Sequence, residues 1–532
     1  MQAEINPDRI KDETMKPSFA AIPCFALILS LLGCADQDTK SSGVDVAGPT
    51  TISSADTANR SLRPHIVYIT SDDLGTDLGP CLNDLNLMPN MEKRCSSSLV
   101  FERAYANPYC TPTRAGILTG RYSYRHGAND VYSKLPKLPL SETTIPEKIK
   151  ESGAGYRSAA FGKWHLSYGE TETDNLNNPN EQGFDYFEGN PRQYYTYNYF
   201  PSEYRWYVNG EDVGWGQKYK PVQITDAVLR DFQSRASGPQ FYFVNYVIPH
   251  IPLHVPPREL HSYDLPEKIP DSIIHGGVKR DPQADKYVFA MLEALDGELE
   301  RLVSGLSEST QRPIVFVFMG DNGTANDVYQ GPVGTVEGWY RGKSSLYEGG
   351  VRVPLMIWSS HPEEYKIPNQ RTDMLVHSAD LFPTFFDIAG EDISTEGLDG
   401  LSFYKVFDDL SYESREILYN EGGHDRKQAY NFTAIDQEGK KLLVQEFERR
   451  RTEIGFEDLV SYFDIRNDPG EQNNLLKTQP CAVNFQKVDK LLEFMREMRE
   501  NRNPDLSDRF AIEAYRAEIE SIKSACDPTK NE

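Results

Sequence analysis

The stretch His65-Ile-Val-Tyr-Ile-Thr70, running directly into Ser71-Asp72-Asp73-Leu74-Gly75, decides how the chain is to be folded. It is β-branched and aromatic with no alternation of apolar and polar positions, as a strand buried on both faces requires. Phe241-Tyr-Phe-Val-Asn-Tyr-Val-Ile248 and Pro313-Ile-Val-Phe-Val-Phe-Met319 repeat the pattern, and each ends at a polar cluster. Between them, Glu147–Ser152 and Ala284–Gly305 carry helical periodicity. Strands alternating with helices predict an α/β domain with a mostly parallel mixed sheet flanked by helices. Ligands of such sheets sit beyond the carboxyl ends of the strands, where all three polar clusters fall.

Past residue 405 the texture changes. Ile417–Tyr419, Tyr430–Asp436 and Lys441–Phe447 read as short antiparallel strands, and Val488–Asn501 and Leu506–Ser524 as charged helices. We therefore expect a catalytic domain over 61–409 and a smaller C-terminal α+β subdomain with a short antiparallel sheet over 410–532. The 532 residues carry 56 Lys+Arg against 80 Asp+Glu, a net charge of −24. That balance excludes a nucleic-acid partner, which needs a basic footprint. An anionic ligand then requires cations gathered at one spot.

Near the start, Phe25-Ala-Leu-Ile-Leu-Ser-Leu-Leu-Gly33 is too short to span a membrane but has the length of a signal-peptide core. Leu31-Leu32-Gly33-Cys34 resembles the bacterial lipobox, which implies a signal peptide over 1–33 and lipidation of Cys34. The polar segment 34–60 cannot bury enough surface to fold and reads as a flexible tether. The expectation is an exported bacterial lipoprotein in the periplasm or at the outer membrane or cell surface, held to the membrane through Cys34. In that oxidising setting Cys81, Cys95, Cys481 and Cys526 form two sequence-local groups that suggest bridges 81–95 and 481–526, other pairings staying open.

Asp72 and Asp73 alone would read as a turn or helix cap, and Gly320-Asp321-Asn322-Gly323 as a turn. Both follow buried strands, so they face one crevice. Three carboxylates and an amide oxygen are a hard-oxygen set suited to Ca²⁺ or Mg²⁺.

Cys110-Thr-Pro-Thr-Arg114, continuing Ala-Gly-Ile-Leu-Thr-Gly-Arg-Tyr122, resembles the signature of the formylglycine-dependent (type I) sulfatases of the alkaline phosphatase superfamily. Thr113 stands where many members have Ser. Phe161-Gly-Lys-Trp-His165-Leu, Pro249-His250-Ile-Pro and Arg341-Gly-Lys343-Ser-Ser-Leu-Tyr-Glu-Gly-Gly-Val-Arg-Val-Pro354 match further family blocks. Asp380-Leu-Phe-Pro-Thr384, Leu398-Asp-Gly400 and Tyr462-Phe-Asp-Ile-Arg-Asn-Asp-Pro-Gly-Glu471 follow in order.

The resemblance implies an alkaline-phosphatase-like fold and hydrolysis of sulfate esters, on a sulfated carbohydrate given the exported setting. It implies that a maturase converts Cys110 to Cα-formylglycine, whose gem-diol attacks sulfur. It assigns Asp72, Asp73, Asp321, Asn322 and the modified Cys110 to a metal, Ca²⁺ with Mg²⁺ as the alternative. Lys163 and Lys343 would hold the sulfuryl oxygens, Arg114 orient the diol, His250 protonate the leaving oxygen and His165 act as base. His126, His254 and His377 lack such support and stay outside the site, and Arg121 reads as buried support. Arg192, Tyr194, Tyr197 and Trp206, in a tyrosine-dense segment, are candidates for substrate binding, although an aromatic cluster is more often core. Two other readings stay open. One is a phosphatase or phosphonate monoester hydrolase of the same superfamily, and the other a non-catalytic glycan binder.

Overall fold

In a computed structural model, the structure describes residues 63–128, 138–167, 175–191, 198–234, 238–269, 284–326, 328–329, 341–424, 429–445, 460–500 and 512–526. The expected signal peptide, the tether, Cys34, Arg192, Tyr194 and Tyr197 lie outside the described residues.

Ten strands form the large sheet: β1 (His65–Asp72), β2 (Leu99–Tyr105), β3 (Arg157–Lys163), β4 (Tyr186–Asn190), β5 (Arg205–Val208), β6 (Glu211–Trp215), β7 (Gln240–Pro249), β8 (Ile314–Gly320), β9 (Leu355–Ser359) and β10 (Arg371–His377). Their order is β10-β2-β9-β8-β1-β7-β3-β4-β5-β6. The centre, β8-β1-β7-β3-β4, is parallel throughout. Antiparallel pairs attach β9 on one side and β5 and β6 on the other. Every residue of β1, β7 and β8 is buried, and alternate side chains serve opposite faces. Val67 and Ile69 pack into one apolar cluster, while Ile66 and Tyr68 pack into the other. Helices cover both faces, among them α1 (Cys110–Thr119), α2 (Lys220–Ser234), α3 (Asp285–Glu308) and α4 (Leu381–Ala389). Among the described residues no helix is long and apolar enough to cross a membrane.

A second sheet is antiparallel, in the order β11 (Ile417–His424), β12 (Ala429–Asp436), β13 (Lys440–Gln445) and β14 (Val460–Asp464). Helix α5 (Phe485–Glu500) packs Val488, Leu491, Leu492 and Met495 against it. Strand β14 is an addition to the sequence-based expectation, since its five residues carry too short a pattern to stand out. Cys81 is bonded to Cys95 and Cys481 to Cys526. Arg121 departs from its expected burial: its side chain is 31% exposed and pairs with Glu142 at 2.7 Å.

His126 and His377 are buried, and Nδ1 of each accepts a backbone N–H, from Ala128 and Ala379, at 3.1 Å. Burial first, then Arg121 near His126 and Arg415 near His377, push both imidazoles down to about 3. Both are therefore neutral in the fold, whereas the unfolded chain takes up their protons below about pH 6.5. Their stabilisation is present above that pH and lost as it falls toward about 3. The urea midpoint should drop between about pH 7 and pH 5, and drop less in His377→Asn, whose amide oxygen still accepts the Ala379 N–H.

Candidate active site

The parallel register delivers the site. Asp72 ends β1 with Asp73 just beyond, Asp321 and Asn322 follow β8, Lys163 ends β3 with His165 just beyond, and His250 follows β7. These four strands are neighbours, so their carboxyl ends share one crevice. Two backbones close on each other there. A Cβ on Gly320 would lie 2.1 Å from the Leu74 oxygen, so only glycine lets β8 end so near the β1 turn. Asp73 and His165 take left-handed φ values of 63° and 65°, and Ser344, beside Lys343, takes 72°. Such conformations persist in non-glycine residues where the surroundings over-determine them.

Cys110 is the first residue of α1, buried and outside any disulfide. Its Sγ lies 3.2 Å from His165 Nδ1 and 3.5 Å from Lys163 Nζ. The Thr113 hydroxyl donates to the Tyr109 carbonyl at 3.0 Å, closing the helix's first turn. One turn on from Cys110, Arg114 donates to Asp321 Oδ2 through Nε at 3.1 Å and Nη2 at 2.7 Å, and to the Lys163 carbonyl at 3.1 Å. Lys163 Nζ pairs with Asp72 Oδ2, and Lys343 Nζ with Asp73 Oδ1, each at 2.5 Å. His250 Nε2 is 3.7 Å from Asp73 Oδ2.

Charge balance follows from these contacts. Burial opposes ionisation of Asp72, but Lys163, His250, Arg114 and Lys343 hold it well below the usual carboxylate range. Asp321 is pushed up to about 6 by burial and by Asp72, with Arg114 pulling the other way. Burial lowers His250, with Asp73 opposing. Burial also disfavours charged Lys343, yet the carboxylates beside it, Asp73 foremost, hold it above its ordinary value. The side chains of Asp72, Asp73, Asp321, Arg114 and Lys163 are at most 1% exposed, while His250 and Lys343 reach 11% and 16%. Solvent thus meets the site at His250 and Lys343.

The donor set fits a divalent cation. Asn322 spends its amide hydrogens on Asp73 Oδ1 at 2.8 Å and the Gly323 carbonyl at 2.9 Å. That leaves its buried Oδ1, like Asp72 Oδ1, without a hydrogen-bond partner. Buried oxygens are not left so without a counterpart, and with Asp73 and Asp321 they make a hard-oxygen cluster. The carboxylates also approach other potential ligands: one donor atom each from Asp72, Cys110 and Asp321 lie within 4.8 Å of one another.

Trp206 corrects the sequence reading. It is 3% exposed, packs against Tyr204 at 5.8 Å and donates its indole N–H to Glu188 Oε1 at 2.8 Å, so it is core and offers no stacking surface. Sequence reasoning missed the support for the Lys343 loop. Buried Lys441 on β13 pairs with Glu348 at 3.0 Å and Glu471 at 2.9 Å, and Glu471 also accepts the Glu348 N–H at 2.6 Å. Lys441 and Glu348 are 93 residues apart, so no local spacing pointed to the pair.

The α/β sheet gathers buried carboxylates, two ammonium groups and a buried free cysteine at a helix start, groups suited to hydrolysis of an anionic ester. The sulfatase family model matches residues 64–391, and the model for the C-terminal part of N-sulphoglucosamine sulphohydrolase matches 336–500. The chain belongs to the sulfatase family. It is 28% identical over 419 residues to arylsulfatase J of Mus musculus, covering 74% of this chain and 64% of that one. To the ulvan-active sulfatase of Formosa agariphila it is 26% identical over 496 residues, 88% of this chain and 85% of that. Its fold matches BT4656, solved with its substrate D-glucosamine-2-N,6-O-disulfate, at a TM-score of 0.65 and 19% identity, over 84% of this chain and 100% of that.

Calcium titrated into the protein should bind at one site by calorimetry. Asn322→Leu should weaken that binding by at least about tenfold, even though the substitution removes no charge.

Proposed function

We propose that the chain hydrolyses sulfate esters of carbohydrates. One observation carries the reading: Cys110, at the start of α1, lies against Lys163 and His165 beside a buried oxygen cluster, with His250 at the solvent side. Asp72, Asp73, Asp321 and Asn322 would hold a metal, Ca²⁺ or Mg²⁺, which would supply charge at the sulfuryl oxygens, and Cα-formylglycine made from Cys110 by a maturase would supply the attacking oxygen.

The remaining work falls to side chains. Lys163, fully buried, and Lys343, at the solvent side, hold the sulfuryl oxygens as preorganised charges. Arg114 fixes Asp321 and, through the Lys163 carbonyl, the end of β3. The alcohol departs toward solvent and takes the Nε2 proton of His250 in its imidazolium form, which Asp73 at 3.7 Å favours and which leaves the neutral ring with its hydrogen on Nδ1, bonded to the Ile251 carbonyl. His165 Nδ1, beside position 110, takes the proton that must leave that side chain. A carbohydrate substrate is supported by relatives named for ulvan and, at 26% identity, for N-acetylglucosamine-6-sulfate. Export as a lipoprotein anchored at Cys34 rests on the Leu31–Cys34 stretch and is supported by two disulfides, which persist in oxidising compartments.

Two measurements test this. Peptide mass spectrometry of protein from a maturase-bearing host should show the Cys110 peptide lighter by about 18 Da. An unmodified cysteine in an active preparation would refute the nucleophile assignment. The kcat/KM for an aryl sulfate should exceed that for the matching aryl phosphate, and Lys343→Ala should lower the former about 10²- to 10³-fold. Preference for the phosphate would instead mark a phosphatase.

A further inference from the structure

Tyr199 and His254 are buried and take no part in the site described above, yet both are tied to the segment that carries His250. The Tyr199 hydroxyl donates to the His250 carbonyl at 2.6 Å, with the Val247 carbonyl at 3.3 Å. The same Val247 carbonyl accepts the His250 N–H at 2.9 Å, which closes the turn after β7. The phenol thus spans a turn whose last residue is His250. Tyr199 is itself anchored from behind, because its carbonyl accepts the Lys220 N–H at 2.8 Å, at the start of α2.

The ring of Tyr199 is held as well. It stacks on the His254 imidazole with centroids 4.0 Å apart and planes 30° apart. His254 Nδ1 lies 3.0 Å from the Pro252 carbonyl, which only accepts, so Nδ1 carries the hydrogen. Nε2 then takes the hydrogen bond from the Tyr219 hydroxyl at 2.8 Å. Burial pushes His254 down to about 4 and Tyr219 well up, so the imidazole stays neutral and the phenol keeps its proton. The stacked Tyr199–His254 pair is thus tied through its imidazole to Tyr219, which meets that ring edge-on at 5.6 Å.

His250 needs such a frame. Its Nδ1 lies 2.7 Å from the Ile251 carbonyl and donates to it, which leaves Nε2 as the nitrogen facing Asp73 and the site. The aim of Nε2 is therefore set by the main chain on either side of His250. We propose that Tyr199, braced by His254, is a positioning residue for His250: it fixes the turn from which Nε2 meets the leaving oxygen. The proposal rests on His250 being the proton donor. A displacement of about 1 Å in a proton donor is enough for a loss of about 10²-fold.

Proton donation matters most for a poor leaving group, so the test is a series of aryl sulfates whose phenols have pKa values from about 7 to about 10. Wild type, Tyr199→Phe and His250→Ala are compared by kcat/KM, with thermal unfolding alongside. Tyr199→Phe keeps the stacked ring and removes only the hydroxyl. Its kcat/KM should fall at least about tenfold for the poorest leaving group and stay within about twofold for the best. That gives a steeper dependence on leaving-group pKa than wild type, shallower than that of His250→Ala, at an unchanged melting temperature. His254→Phe, a second variant that keeps a ring against Tyr199, should shift the slope in the same direction. A wild-type slope in both variants, with or without a uniform loss, would overturn the positioning role while a steep His250→Ala leaves the proton donor standing. A wild-type slope in His250→Ala would remove the donor itself, and the proposal with it.

Discussion

The structure is organised around carboxylates that cannot be buried alone. Taking an ionised carboxyl out of water is strongly unfavourable unless a counter-charge and hydrogen bonds come with it. Asp72, Asp73 and Asp321 lie at the ends of adjacent strands, and each is met by a different cation: Lys163, Lys343 and Arg114 respectively. Those cations come from the end of β3, a loop before β9, and α1. Satisfying three charges thus draws three separate parts of the chain to one point. Against a chain net charge of −24, the crevice is locally balanced, with three cations set against three carboxylates.

The strand register makes the arrangement reproducible. Ser71 pairs with Gly320 on β8, and Asp72 with Pro249 on β7, so the polar residues just past each strand arrive at the same height. A slip of one residue would turn Val67 and Ile69 toward the face now filled by Ile66 and Tyr68. The apolar packing on both faces and the polar cluster at the end therefore specify the same alignment.

Much of this was legible in the sequence, for identifiable reasons. The central strands announced themselves because burial on both faces makes β1, β7 and β8 near-continuous apolar runs with no polar alternation. The residues of the crevice were legible because each sits inside a short block whose resemblance to the sulfatases is local. Partners joined across the fold were not. Trp206 belongs to the core because Glu188 takes its indole N–H, and an aromatic-rich segment looks alike whether it faces solvent or protein. Tyr199 and His254 carry no motif, and their relation to His250 exists only once β7, its turn and α2 are assembled. Lys441 looks like any lysine in a charged strand until Glu348 and Glu471 close on it.

That last triad bears on the order in which the molecule is made. Glu348, five residues beyond Lys343, is held by Lys441 and Glu471, and Arg341 of the same loop donates to the Gly470 and Glu471 carbonyls. During synthesis from the N-terminus, the large sheet, Cys110 and all three carboxylates have left the ribosome before these anchors exist. Lys343 therefore belongs to a loop whose moorings are translated after the rest of the crevice. A chain ending between residues 360 and 440 would carry every group of the crevice and still lack the contacts that Lys441, Gly470 and Glu471 make to the loop of one of its two lysines.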